Sequence, residues 1–210
     1  QLAEALNLIE PDSNEESSDI TRSDIHQLLE ALNSYDMNAQ AEFCKQHDHF
    51  RLIGQDNLRR YLPVPSLCIR IHEEDSWVDV FARAAAARAV GCRAIVSAAP
   101  GVATEKIELL HDLTEPWAAD IEFVEQSDEE LIDSLSRFEI GRLRYAAPDR
   151  VPIEVRVAAI DQLVHVADSR VLAEGRIELL WYLEEQSVCI DYHRYGNLGA
   201  RIDEPRSDTE

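Results

Sequence analysis

The chain has 210 residues, of which 45% are hydrophobic, and its 20 Lys and Arg stand against 41 Asp and Glu for a net charge of −21. That length supports one large domain or two small ones with a substantial core, and the hydrophobic share is globular rather than disordered. The negative field repels phosphate backbones and anionic lipid, and no apolar run approaches the ~20 residues of a spanning helix, so neither a nucleic-acid partner nor membrane insertion is expected.

The first residue is Gln1, and residues 1–18 read as the end of a preceding helix and an acidic linker, as if cut from a longer polypeptide. Residues 19–64 read as a helical lead-in and connector. Asp19 or Thr21 can cap a helix running to about Lys45, with Ile25, Leu28, Leu29 and Leu32 at helical spacing. Residues 65–186 then alternate between two periods. A strand at 67–71 leads to a helix over 77–90 capped by Asp75, with Val78, Phe81, Ala85 and Ala89 along one face and Gly91 ending it. A second strand covers 93–97, and Pro100 to Thr104 open the next helix, with Ile107, Leu109 and Leu110 as its apolar residues. A third strand covers 120–124. Ser127 and Glu130 form a capping box before Leu131, Ile132, Leu135 and Phe138. A weak fourth strand covers 142–145, and Pro152 starts a helix carrying Val155, Ala158, Ala159 and Leu163. A fifth strand covers 164–167, residues 176–185 read as helical, and 187–192 as extended. Residues 187–201 form a C-terminal strand and an extended tail, and 202–210 a frayed acidic end.

Short strands alternating with helices mean crossover units, hence a doubly wound, three-layer α/β sandwich with a mostly parallel, Rossmann-like sheet. The strand order is not legible. Such a fold invites a dinucleotide, but the turn after the first strand, Ile71 to Asp75, has no glycine and carries three carboxylates where a pyrophosphate would sit. The second turn, around Gly101, leads into a helix N-terminus that could hold an anion, although a plain tight turn accounts for it as well.

No nucleophile motif is present. The four cysteines form no CxxC pair, and Cys68, Cys92 and Cys189 lie in apolar stretches, as small buried side chains of a reducing cytoplasm do. The histidines are scattered, and His47 and His49 flanking Asp48 do not make a metal site. Asp161, His165 and Asp168 lie close in sequence near the end of a strand, where α/β active sites gather. They are the candidates for an independent enzyme or small-ligand binder.

The last ordered stretch is the most unusual. An amphipathic segment runs into a strand and then into Tyr192, His193, Arg194 and Tyr195, rigid side chains of the kind enriched at interfaces, followed by Gly196, Asn197, Leu198 and Gly199. The tail Glu185-Gln-Ser-Val-Cys-Ile-Asp-Tyr-His-Arg-Tyr-Gly-Asn-Leu-Gly199 resembles the C-terminal motif of proline utilization A, a family of bifunctional proline dehydrogenase and L-glutamate γ-semialdehyde (δ-1-pyrroline-5-carboxylate) dehydrogenase enzymes. Arg51-Leu-Ile-Gly-Gln-Asp-Asn-Leu-Arg-Arg-Tyr-Leu-Pro-Val64 is similar to the segment that opens the domain after the family's aldehyde dehydrogenase module, and Arg176-Ile-Glu-Leu-Leu-Trp-Tyr-Leu also fits.

The resemblance spans roughly residues 35–201. It implies a noncatalytic domain, built like the NAD-binding half of an aldehyde dehydrogenase, that packs on the catalytic module of the same polypeptide. Its tail, residues 192–199, would lid the cavity crossed by the proline-derived intermediate. FAD and NAD would belong to the parent enzyme, and no cofactor, metal or catalytic residue carries over to this chain. A homo-oligomer formed through the tail is a further expectation, because related dehydrogenases assemble that way.

Overall fold

The computed structural model describes residues 2–8, 20–52, 54–117, 120–137 and 139–192. Residues 9–18 of the expected helix end and linker, Phe138, the tail from His193 to Gly199 and the acidic end all lie outside the described residues.

A short helix α1 (Leu2–Asn7) precedes α2 (Arg22–Asn38), which continues as a π-turn over Ala39–Phe43. Thr21 is the N-cap of α2, and its hydroxyl and the Asp24 carboxylate exchange hydrogen bonds with each other's backbone N–H in a capping box. Strand β1 (Gln55–Pro63) comes next, then β2 (Leu67–Ile71), α3 (Trp77–Ala89), β3 (Ala94–Ala98), α4 (Thr104–Leu113), β4 (Ile121–Glu125), α5 (Asp128–Ser136), β5 (Arg142–Arg144), α6 (Ile153–Asp161), β6 (His165–Ala167), α7 (Gly175–Glu178) and β7 (Leu183–Asp191).

Strands β2 to β6 form one five-stranded sheet in the order β4-β3-β2-β5-β6, and every neighbouring pair is parallel. Counted from β2, this is the order 3-2-1-4-5 of a Rossmann-like sheet, with its switch point between β2 and β5. The pleat of β2 separates two apolar clusters. Leu67, Ile69 and Ile71 join the residues of α2, α3 and α4, whereas Cys68 joins Leu131 and Leu135 of α5 and Val155 and Ala159 of α6. All five residues of β2 are buried, which is why this strand reads as an apolar run broken only by Arg70.

Several expectations need correction. Helix α3 is capped by Ser76, whose box with Asp79 wins the N-terminus, while Asp75 turns inward. The helix expected over 176–185 stops early: α7 passes into a 3-10 turn, Leu179–Tyr182, and Leu183 already belongs to β7. Leu163 does not pack behind α6 but stands 95% exposed with a φ of 58°. Cys189 is exposed, whereas Cys68 and Cys92 are buried as expected. The connector 51–64 contains the long strand β1, which pairs antiparallel with β7 along its whole length, from Gln55 opposite Asp191 to Pro63 opposite Leu183.

This two-stranded ribbon is rooted at the amino-terminal end of the sheet. Val64 N–H donates to Tyr182 O at 3.0 Å, and Arg142 of β5 donates to the carbonyls of Trp181 and Leu183, each at 3.0 Å. At strand rise the ribbon spans roughly 27 Å. Tyr192, where the tail departs, is fastened at the far end by its N–H to Gly54 O at 3.0 Å.

Helix α7 meets α2 closely enough to require glycine. A Cβ on Gly175 would lie 2.6 Å from Ser34 O and 2.8 Å from Ser34 C, both backbone atoms, and the Gly175 N–H already donates to Ser34 Oγ. Gly175→Ala is therefore expected to lower stability by about 1–3 kcal/mol through overpacking. A urea unfolding midpoint equal to that of the parent would contradict this packing.

Candidate functional site

Ligands of open parallel sheets bind beyond the carboxyl ends of the strands at the switch point. Here that place is a cavity of about 200 Å³ whose walls come from the segments after β2, β3, β4 and β5. A larger depression, of about 440 Å³, lies at the opposite, amino-terminal ends of β2, β3 and β4.

The floor of the crevice is built from internal ion pairs. Asp75, fully buried, occupies the first turn. Its Oδ2 accepts from the backbone N–H of His72 at 3.0 Å and from Arg83, which is equally buried, while Arg150 Nη1 lies 3.5 Å from its Oδ1. Arg83 also donates to the carbonyls of Asp79 and Arg70, at 2.7 and 2.8 Å. In a working dinucleotide site the first-turn N–H groups face a phosphate; here a carboxylate of the chain takes that role. The second turn is used in the same way, since Gly101 N–H donates to Glu125 Oε1 at 3.0 Å. Arg70, 3% exposed, crosses the strand ends to Ser97 Oγ at 2.7 Å, Gln126 O at 2.8 Å and Asp128 Oδ1 at 2.7 Å.

Above this floor, two polar atoms of the lining residues are buried without a hydrogen-bond partner: the Tyr145 hydroxyl and Arg150 Nε. Burial pushes the Tyr145 hydroxyl well above the ordinary phenol value, the Arg70 charge pulling it down and Asp128 pushing it up. Glu73 stands exposed at the mouth. Neither Tyr145 nor Arg150 is legible as a site residue in the sequence. Only the strand order brings the segment after β5 beside the turn after β2.

The acid–histidine group does not assemble. Asp161 closes α6 before β6 begins, His165 opens β6 and Asp168 follows it, so His165 and Asp168 are separated by about 10 Å of strand. Asp168 pairs with Arg156 at 2.8 Å, and the His165 ring stacks on Trp181 at 6.1 Å between centroids. Partial burial and then the Arg142 charge hold His165 below the usual imidazole value, against the pull of Asp168. His47 and His49 stack on each other 5.4 Å apart, and Asp48 accepts from the N–H groups of Arg51 and Asn57. Among the described residues no three His, Cys, Asp or Glu side chains gather as a metal site, and no helix is long and apolar enough to cross a membrane. Burial pushes the Cys68 thiol up to about 12 and the Cys92 thiol up to about 11, so both are protonated at neutral pH, the opposite of an activated nucleophile. Of the expected lid residues, Tyr192 is described, at the end of the ribbon; His193, Arg194, Tyr195, Gly196, Asn197, Leu198 and Gly199 are not.

No family model matches the chain. No curated protein matches it either. Solved structures do. Proline utilization A from Corynebacterium freiburgense aligns with a TM-score of 0.53 and 22% identity over 90% of this chain and 16% of that one. A salicylaldehyde dehydrogenase from Pseudomonas putida G7 aligns with a TM-score of 0.55 and 14% identity over 69% of this chain and 31% of that one. Histidinol dehydrogenase from Elizabethkingia anophelis aligns with a TM-score of 0.51 and 12% identity over 70% of this chain and 35% of that one. The chain thus spans about a third or less of each of these proteins. What it shares with them is the fold, a parallel sheet flanked by helices.

Proposed function

We propose that this chain is the noncatalytic C-terminal domain of a bifunctional proline-catabolic enzyme, which converts proline to glutamate with FAD and NAD bound elsewhere in the polypeptide. The observation that carries the reading is Asp75. On a doubly wound fold of aldehyde dehydrogenase type, a buried carboxylate of the chain itself fills the turn where a pyrophosphate would be cradled. The protonated Cys68 and Cys92 thiols agree with a domain that does no chemistry.

Packing on the aldehyde dehydrogenase module of the same polypeptide is supported by α6. This helix buries Val155 and Ala159 inward, yet Ile153, Val157, Ile160 and the following Leu163 are 64%, 50%, 64% and 95% exposed. A helix that is apolar on both faces belongs between two surfaces, and the described residues supply one. The lid assignment for residues 192–199 is supported by the place of Tyr192 at the end of the ribbon opposite its root and by the sequence motif that begins there. The ribbon and tail also offer the surface for a homo-oligomer.

The test is made in the parent enzyme. Deleting residues 192–201 is expected to impair aldehyde oxidation and to lengthen the lag in NADH formation from proline, while the FAD-dependent half-reaction stays nearly unchanged. A missing lid admits water, lets the intermediate escape and loosens the geometry at the aldehyde site. Unchanged aldehyde kinetics with an unchanged lag would defeat the lid. Formation of NADH from NAD and L-glutamate γ-semialdehyde by the isolated chain would defeat the noncatalytic reading.

A further inference from the structure

We infer that the crevice at the carboxyl ends of the strands binds a small zwitterion of the amino-acid class, its carboxylate taken by Tyr145 and Arg150 and its ammonium by Glu73. The first observation is the unmet polar atoms. Tyr145 is 1% exposed, and its hydroxyl has no hydrogen-bond partner, although it lines a cavity. Arg150 Nε is buried on the same cavity. Glu74 Oε2 at 3.3 Å and Asp149 Oδ1 at 3.7 Å give it ion pairs but no hydrogen bond. Buried donors are rarely left unmade, because the loss of water is uncompensated. Both residues belong to the one short segment that follows β5, and both line the cavity.

The second observation is how the charges are distributed. Arg70 is neutralised by Asp128, and Arg150 has Asp75, Glu74 and Asp149 within ion-pair reach. Glu73, exposed at the mouth, makes no ion pair among the described residues. A simple anion would satisfy the donors but meet Glu73; a simple cation would satisfy Glu73 and leave the donors bare. A molecule carrying both charges satisfies both ends.

Size and lining narrow the class further. A volume of about 200 Å³ is below the range of drug-sized ligand sites and far below what a dinucleotide needs. Ala99, Val102 and Pro152 offer an apolar wall for a short side chain.

The experiment uses the full 210-residue chain, labelled with ¹⁵N and titrated with L-alanine and L-valine. Isovalerate and isobutylamine, which are valine without its ammonium and without its carboxylate, serve as controls. Saturable shifts are expected at the amides of His72, Glu73, Val102 and Arg150 with the amino acids. Isobutylamine, which leaves the buried donors bare, is expected to bind about tenfold more weakly or worse, and isovalerate, which brings its charge to Glu73 without an ammonium, is expected to bind more weakly than L-valine. Tyr145→Phe keeps the ring in the core and removes only the hydroxyl, so it is expected to fold normally and to weaken L-valine about tenfold. Glu73→Gln is expected to close the gap between L-valine and isovalerate. The inference is overturned if neither amino acid produces saturable shifts at those amides, if isovalerate binds as tightly as L-valine, or if folded Tyr145→Phe binds L-valine unchanged.

Discussion

Asp75→Ala is expected to lower the stability of the folded chain by about 3–5 kcal/mol, the cost of removing one partner of a buried ion pair. Arg83 is left behind with its charge, and the carbonyls of Asp79, Arg70 and Arg144 that it also reaches are dipoles rather than a counter-charge. The His72 N–H loses its acceptor at the same time. The loss is a large part of a domain's ordinary 5–15 kcal/mol, and it should appear as a fall in the urea midpoint at an unchanged slope. The double variant Asp75→Ala with Arg83→Met should recover most of it, because an apolar replacement of the pair removes the stranded charge. Neither variant is expected to gain NAD binding, since Glu73 and Glu74 still put negative charge at the turn. A cost below about 1 kcal/mol for Asp75→Ala would place the pair among solvated surface pairs and refute its burial.

The parallel sheet was most legible at its centre, where β2 and β3 are buried on both sides. β2 reads as five consecutive residues of which only Arg70 is charged, and Ser127 with Glu130 marks the start of α5 without ambiguity. β1 was not legible. Both of its faces are half-exposed, so it lacks the period-2 alternation that betrays a one-sided strand, and its partner β7 lies more than a hundred residues away. Asp75 and Ser76 are both good caps in sequence. What separates them is tertiary: Arg83, two turns into α3, draws the aspartate inward and leaves the end of the helix to the serine. The crevice was half legible. Its acidic first turn could be read directly, but Tyr145 and Arg150 could not be nominated, because nothing local places β5 beside β2. Asp161, His165 and Asp168 were drawn together by sequence proximity alone, which along an extended strand means separation.

Glu178→Leu is expected to cost a further 3–5 kcal/mol of the same kind, at a place that controls the ribbon rather than the crevice. Glu178 and Arg144 are both fully buried. One Glu178 oxygen accepts from Arg144 Nη2 at 2.7 Å and from the Tyr182 hydroxyl at 2.9 Å; the other accepts from Leu172 N–H at 3.0 Å. Arg144 also donates to the carbonyls of Tyr145 and Ser169, and Tyr35 of α2 donates its hydroxyl to Leu172 O. A single carboxylate thus ties β5, the loop after β6, α7 and the root of β7 together. Leucine in its place strands a guanidinium, a hydroxyl and an amide in an apolar interior. Tyr182 carries the consequence outward, because its carbonyl accepts the N–H of Val64 at the junction of β1 and β2. Hydrogen exchange should therefore quicken first at Val64 and Leu183, while the amides of β3 and β4, which do not touch this network, keep their protection relative to global unfolding. Glu178→Leu combined with Arg144→Met should restore most of the stability, as in other buried pairs replaced by apolar residues. Uniform acceleration across all strands would instead mean that the ribbon and the sheet open as one unit, and that the carboxylate is not the joint between them.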